Sequence, residues 1–255
     1  MNKPLILVTN DDGITAPGIK SLIEVAKKFG EVVVVAPDSP QSGMGHAITL
    51  TKPLRLHPSD MFEGIKAYEC SGTPVDCVKI AVDKVLKRKP DLCISGINHG
   101  SNSSINIIYS GTMSAAVEAA LEGIPSIGFS LCDFAYEADF SVARYAAEKI
   151  IDKVLKFGIA DNTLLNVNVP KVSQKDLKGI RICRQAMAKW EEEFDARKDP
   201  HGREYFWLTG KFVNNDKGED TDEWALAHNF ISVVPVQYDL TAHHGINFIN
   251  QTWEL

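Results

Sequence analysis

The sequence predicts a doubly wound α/β sandwich built on a mostly parallel sheet, and three observations carry that expectation. Strand-like and helix-like runs alternate through the first two-thirds of the chain, the order that right-handed crossovers turn into a parallel sheet with helices on both faces. The strand runs are continuously apolar rather than alternating, as strands covered on both sides require. The helical segments carry chemical start and stop signals at their ends.

In order, Leu5-Ile6-Leu7-Val8 is the first strand run. A helix follows, with Pro17 near its first turn, Gly30 after Phe29, and Ile19, Leu22, Ile23, Ala26 and Phe29 on one apolar face. Val32-Val33-Val34-Val35 is the second strand. Thr73-Pro74-Val75-Asp76 then reads as a helix cap, a proline at the first helical position and an acid in the first turn. Leu92-Cys93-Ile94-Ser95 is the third strand, followed by a helix after Ser110-Gly111-Thr112 that stops at Gly123. Ser126-Ile127-Gly128-Phe129 and Leu164-Leu165-Asn166-Val167 are the last two strand runs of the series. Between them a helix is expected from about Phe140 to Phe157, closed by Gly158.

Beyond about Arg181 the texture changes. All four tryptophans (Trp190, Trp207, Trp224, Trp253) lie there among short β-prone runs such as Ile231-Ser232-Val233-Val234. The expectation is a core over residues 1–180 and a β-rich extension over 181–255, packed on the sheet or on a neighbouring subunit. Packing is the default role for the aromatics, with stacking on a nucleobase as the alternative.

With 255 residues, 44% of them apolar and 24% charged, the chain can bury a proper core, which excludes disordered, collagen and coiled-coil classes. No apolar run approaches the ~20 residues needed to cross a bilayer. Met1-Asn2-Lys3-Pro4 leads straight into the first strand rather than into a cleavable signal, so a cytoplasmic chain without membrane association is expected. A net charge of -6 opposes binding to polymeric nucleic acid, while small anions remain accessible where local groups neutralise them. The five cysteines form no C-x-x-C pair and leave one unpaired, so packed, reduced thiols are expected.

Binding crevices of open parallel sheets lie beyond the carboxyl ends of the strands. Here those ends carry Thr9-Asn10-Asp11-Asp12-Gly13, then Ala36-Pro37-Asp38-Ser39-Pro40-Gln41-Ser42-Gly43, then Ser95-Gly96-Ile97-Asn98-His99-Gly100. Adjacent carboxylates at Asp11 and Asp12 repel unless a cation or a shared proton intervenes. Asn-Asp-Asp-Gly is also ordinary turn chemistry, but Ser42 and Asn98 on the same rim favour a metal. Aspartate, serine and asparagine oxygens are hard ligands that suit Mg²⁺ or Mn²⁺ better than Zn²⁺. Ser110-Gly111-Thr112 opens a small-residue helix (Ala115, Ala116, Ala119, Ala120) whose first N–H groups can cradle an anion, or it is simply a cap. In the similar Ser71-Gly72-Thr73, Pro74 deletes a donor, leaving a cap. Metal plus cradle suggests phosphoryl transfer to water by a phosphomonoesterase.

Several ordered motifs then coincide: Val8-Thr9-Asn10-Asp11-Asp12-Gly13, Ala16-Pro17-Gly18, Ala36-Pro37-Asp38, Ser42-Gly43, Ser71-Gly72-Thr73-Pro74, Ser95-Gly96-Ile97-Asn98-His99-Gly100 and Tyr109-Ser110-Gly111-Thr112. Later come Asn166-Val167-Asn168-Val169-Pro170, Asp199-Pro200-His201-Gly202-Arg203, Thr221-Asp222 and Asp239-Leu240-Thr241-Ala242-His243. Over nearly the whole chain this pattern resembles the SurE family of metal-dependent 5′/3′-nucleotidases, the survival proteins. The resemblance implies a Rossmann-like three-layer core and one divalent cation per subunit, held by Asp11, Asp12, Ser42 and Asn98. It implies hydrolysis of nucleoside monophosphates, with short polyphosphate as a further substrate of some relatives. Asp11, Asp12 and Asn98 would be the catalytic groups, with Asn98, Ser110, Gly111 and Thr112 holding phosphate. It also implies a homodimer or homotetramer exchanging carboxyl-terminal segments. Many relatives carry basic residues before the metal-binding serine, where this chain has Ser39-Pro40-Gln41.

Four further residues have two readings each. Asp239 and His243 are either an acid/base pair or an ion pair near the exchanged segment. His46 and His99, on loops of the expected rim, either contact the phosphate and leaving oxygen or serve structure alone. Two rival functions stand beside the nucleotidase. One is an aspartyl-phosphate enzyme, disfavoured by the missing Asp-x-Asp spacing. The other is a nucleotide-binding regulatory module without turnover.

Overall fold

The computed structural model describes residues 3–135 and 137–253; Met1 and Asn2, the first residues of the segment expected to carry no cleavable signal, lie outside the described residues. In chain order the elements are β1 (Leu5–Thr9), α1 (Pro17–Ala26), β2 (Glu31–Pro37), β3 (Leu56–Ser59), β4 (Lys66–Cys70), α2 (Pro74–Ile80), β5 (Leu92–His99), α3 (Gly111–Leu121), β6 (Ser126–Leu131), α4 (Ser141–Phe157), β7 (Thr163–Val169), β8 (Gly179–Ile182), β9 (Ala188–Lys198), β10 (Glu204–Asn214), α5 (Asp222–Ala227), β11 (Phe230–Gln237) and α6 (His243–Thr252). Among the described residues, no helix is long and apolar enough to cross a membrane.

Nine strands form one sheet in the order β3-β4-β2-β1-β5-β6-β7-β11-β8. From β4 to β7 every neighbour is parallel. β3 closes one edge antiparallel to β4, while β11 runs antiparallel to β7 and parallel to β8. The fold is the expected α/β sandwich. Its layers follow from the two-residue period of a strand, which sends alternate side chains to opposite faces. Ile6 and Val8 of β1, Val32 and Val34 of β2, and Ile94 of β5 pack with α1 and α4 on one face. Leu5 and Leu7, Val33 and Val35, and Cys93 point the other way, against Cys77 and Val78 of α2 and Ala115 and Ala119 of α3. With both faces apolar, the runs are continuous in sequence, and each buried aliphatic side chain contributes about 2 kcal/mol of transfer free energy.

The helix signals act where expected. Thr73 and Asp76 form a reciprocal capping box at the start of α2, and the Ser110 hydroxyl accepts from the Met113 N–H at the start of α3. All five cysteines are free thiols, four of them buried.

The region beyond residue 180 divides between two sheets. β8 and β11 complete the main sheet, whereas β9 and β10 form a separate two-stranded ribbon. β11 enters the sheet because Ile231, Val233 and Val234 are apolar enough for burial, with Ser232 enclosed among them. The ribbon leaves Phe194, Phe206, Trp207 and Leu208 exposed, and α6 buries none of its residues within this chain.

Candidate active site

The chain passes from β1 to β2 on one side and only later crosses to β5 on the other, so the strand order reverses between β1 and β5. A crevice forms at such a switch point because the loops leaving the two strands diverge. Asp11 and Asp12 follow β1, and Asn98 and His99 end β5. A cavity of about 570 Å³ opens there, lined by Asp11, Ser42, Asn98, His99 and Ser110, a volume typical of small-molecule sites. The strand-end reasoning thus brings three of the four expected metal ligands to one cavity. The fourth, Asp12, lies beside it, its Oδ2 accepting the His99 N–H at 3.3 Å.

Asp11 is buried and accepts a short hydrogen bond from the Thr112 hydroxyl. It packs so closely on the start of α3 that a Cβ at Gly111 would lie 2.7 Å from the Asp11 Cβ, so only glycine fits there. Burial pushes the Asp11 carboxyl up to about 6, with the Thr112 hydroxyl lowering it and the neighbouring Asp12 charge raising it. Burial also raises Asp12, against the pull of the His99 backbone N–H and ring. Gly13 (φ +92°) lets the chain turn back, and Asn10 Nδ2 locks the turn by donating to the Gly13 carbonyl at 2.9 Å. Three buried oxygens, Thr9 Oγ1 at the end of β1, Asn10 Oδ1 just past it and Ser95 Oγ beside Thr9 on β5, have no hydrogen-bond partner among the described residues. Two ionisable acids of unfavourable charge amid unpaired oxygens fit a hard cation well.

The Ser42 loop is tied to this centre by Gln41 N–H, which donates to the Asp11 carbonyl at 2.7 Å, and by Gly45 N–H, which donates to the Tyr109 carbonyl at 3.2 Å. Asn98 Nδ2 donates to the Gly100 carbonyl at 2.9 Å, which leaves its side-chain oxygen as the available acceptor. Both His99 ring nitrogens are buried without partners among the described residues, and the ring stands edge-on to Phe140 at 5.2 Å. Ser110 lines the cavity, whereas Gly111 and Thr112 sit behind the wall with the Thr112 hydroxyl committed to Asp11.

Three other expected residues lie elsewhere. His46 faces a separate, mostly apolar groove, its Nε2 3.0 Å from Glu118 Oε2, while Lys79 Nζ holds the other oxygen at 2.5 Å. Burial works against the Glu118 charge, but these two partners keep its carboxyl below the usual range. Asp239 and His243 pair with each other at 3.1 Å on the exposed surface, apart from the cavity.

Sequence reading missed the scaffold behind the site. Asn168 Oδ1 accepts the Asn102 N–H at 2.8 Å and Asn166 Nδ2 donates to the Asn102 carbonyl at 2.9 Å, pinning the loop after β5. Asn102 Nδ2 reaches Ser130 Oγ at 2.8 Å. The signal was present as two asparagines at alternate positions of an otherwise apolar strand, since buried polar groups must be hydrogen-bonded. Asp222, fully buried, accepts the backbone N–H groups of Ser104, Ala186 and Glu223. Next to it, Glu223 lines the cavity.

A family model described as "Survival protein SurE" matches residues 6–192. The chain belongs to the SurE family. A protein of Flavobacterium psychrophilum named 5′-nucleotidase SurE is 64% identical over all of this chain and 99% of its own length. Its namesake in Cytophaga hutchinsonii is 65% identical over all of this chain and 98% of its length. The crystal structure of the SurE protein from Aquifex aeolicus superposes with a TM-score of 0.84 at 38% identity, covering 97% of this chain and 99% of that one. The SurE fold therefore extends through β11 and the ribbon rather than ending with the matched segment.

Proposed function

We propose that this chain is a cytoplasmic, metal-dependent 5′-nucleotidase that hydrolyses nucleoside monophosphates to nucleoside and phosphate. Its full-length likeness to proteins named 5′-nucleotidase SurE supports the reaction class. What carries the finer reading is the meeting of two raised carboxylates with the neutral oxygens of Ser42 and Asn98 at a switch-point cavity. Asp11, Asp12, Ser42 and Asn98 would hold one Mg²⁺ or Mn²⁺, hard cations that their oxygen donors suit. Bound there, the cation supplies positive charge to the phosphate oxygens and Lewis acidity toward the attacking water.

The chain's own groups supply the rest. Asn98 presents an oxygen fixed by its bond to Gly100, and Ser110, on the cavity wall at the start of α3, would face the phosphate. The Ser39-Pro40-Gln41 loop offers no cation, so neutralisation falls on the metal and the helix start. His99, a residue of the cavity lining, would be the proton donor to the leaving oxygen. 3′-Monophosphates and short polyphosphate present the same reacting group and belong to the proposal. So does a homodimer or homotetramer, supported by the apolar side chains exposed on the ribbon and α6.

Phosphate release from a panel of nucleoside monophosphates with Mg²⁺ or Mn²⁺ tests the reading. Asp12→Asn should lower metal-stimulated turnover by about two to three orders of magnitude while leaving the circular dichroism spectrum unchanged. Undiminished turnover in that variant, or hydrolysis indifferent to a chelator, contradicts the assignment; tight nucleotide binding without release would mark a regulatory module instead.

A further inference from the structure

The cavity has a far wall that the phosphate chemistry leaves unused, formed by Phe134, Trp190, Phe212 and Glu223. Trp190 and Phe212 face each other at the root of the ribbon, their ring centroids 5.5 Å apart and tilted by 60°. The indole is fixed, since its Nε1–H donates to Asn106 Oδ1 at 2.8 Å. Glu223 is fixed too: its Oε1 accepts a short hydrogen bond from the Ser103 hydroxyl, and Ser103 Oγ lies 2.6 Å from Ser101 Oγ. That bond engages one carboxylate oxygen and leaves Oε2 without a donor among the described residues. The neighbouring Asp222 is consumed by three backbone N–H groups, so Glu223 is the acid of the pair that meets the cavity.

A carboxylate accepts and cannot donate, which suits it to a pair of sugar hydroxyls, the use made of an acidic residue on ribose in dinucleotide folds. Aromatic faces stack any nucleobase. Resting on the nucleotidase reading above, we propose that this wall is the nucleoside pocket, with Glu223 accepting the ribose 2′- and 3′-hydroxyls and the Trp190–Phe212 pair stacking the base. The arrangement also orients the substrate. With a cation offsetting Asp11 and Asp12, Glu223 is the uncompensated negative charge of the cavity, so the phosphate is directed to the Asp11 end and the sugar to the other.

A nucleoside carries no phosphate and needs no metal, which separates this pocket from the chemistry. Calorimetric titration of the full chain, without added metal, compares adenosine with 2′-deoxyadenosine. Native protein should bind adenosine about tenfold more tightly, the scale of one hydrogen bond to a charged acceptor. Glu223→Gln should remove that preference, and Trp190→Ala should weaken both ligands together. Equal affinities in the native protein, absence of nucleoside binding, or a preference that survives Glu223→Gln overturns the proposal. If Glu223→Gln does not fold, the native comparison decides alone. Preference without phosphate release from any nucleotide would sink the nucleotidase reading and keep the pocket; release without preference does the reverse.

Discussion

Asp11 is the side chain that neutral pH treats worst. Its carboxyl titrates near 6 in the fold because burial penalises the charge, against an ordinary value of 3.8. The folded state therefore binds the proton more tightly than the unfolded chain does. The stability this proton confers is complete below about 3.8 and is lost as pH rises through 6. Asp12, also raised by burial, acts in the same direction. The expected outcome is a metal-free protein whose melting temperature climbs by a few degrees between pH 7 and pH 5. That gain should shrink in Asp11→Asn, and Mn²⁺ should stabilise the native protein more at pH 7 than at pH 5. Differential scanning calorimetry at matched ionic strength measures both.

Among the elements, α2 shows how a short helix can serve a distant loop. The Thr73 hydroxyl accepts the Asp76 N–H and donates to the Ala47 carbonyl at 2.7 Å, so one side chain caps the helix and tethers the segment just past Ser42. Thr73→Ala should cost about 1 kcal/mol, a fall of roughly 2–4 °C in melting temperature for a chain of this size. It should also raise the KM for nucleotide through the loosened Ser42 loop, which steady-state kinetics resolves. The α2 cap was legible because its signals are local, a threonine, a proline and an aspartate in sequence. β3 and β4 were not, since only two of the five β4 residues are buried and the run Lys66-Ala67-Tyr68-Glu69-Cys70 carries no core-strand pattern. The two readings of His46 have the same root: its partner Glu118 lies 72 positions away on α3, and no local feature announces the pair.

For the molecule as a whole, the continuous apolar runs and the strand-end rule made the sandwich and the rim of the site readable, because both depend on periodicity and on the few residues just past each strand. The support behind the rim was hidden, since Asn102 meets Asn166 and Asn168 only after three strands have been laid side by side. Glu223 likewise reaches the cavity only through the fold that brings α5 beneath the loop after β5. β11 shows how far the sheet relies on late sequence. A chain ending at Asn229 loses the strand that binds both β7 and β8 and leaves Ile231, Val233 and Val234 unavailable to the core. Such a chain should give no cooperative melt and should sediment as aggregate, whereas the full chain melts in a single transition.

The same insertion bears on biosynthesis. A ribosome delivers β7 well before β11, so the backbone donors and acceptors along Thr163–Val169 stay open on that side until Phe230–Gln237 emerges. An unpaired, apolar strand edge invites pairing with other chains. The nascent polypeptide is thus most in need of shielding late, after the loops that follow β1, β2 and β5 have already been made.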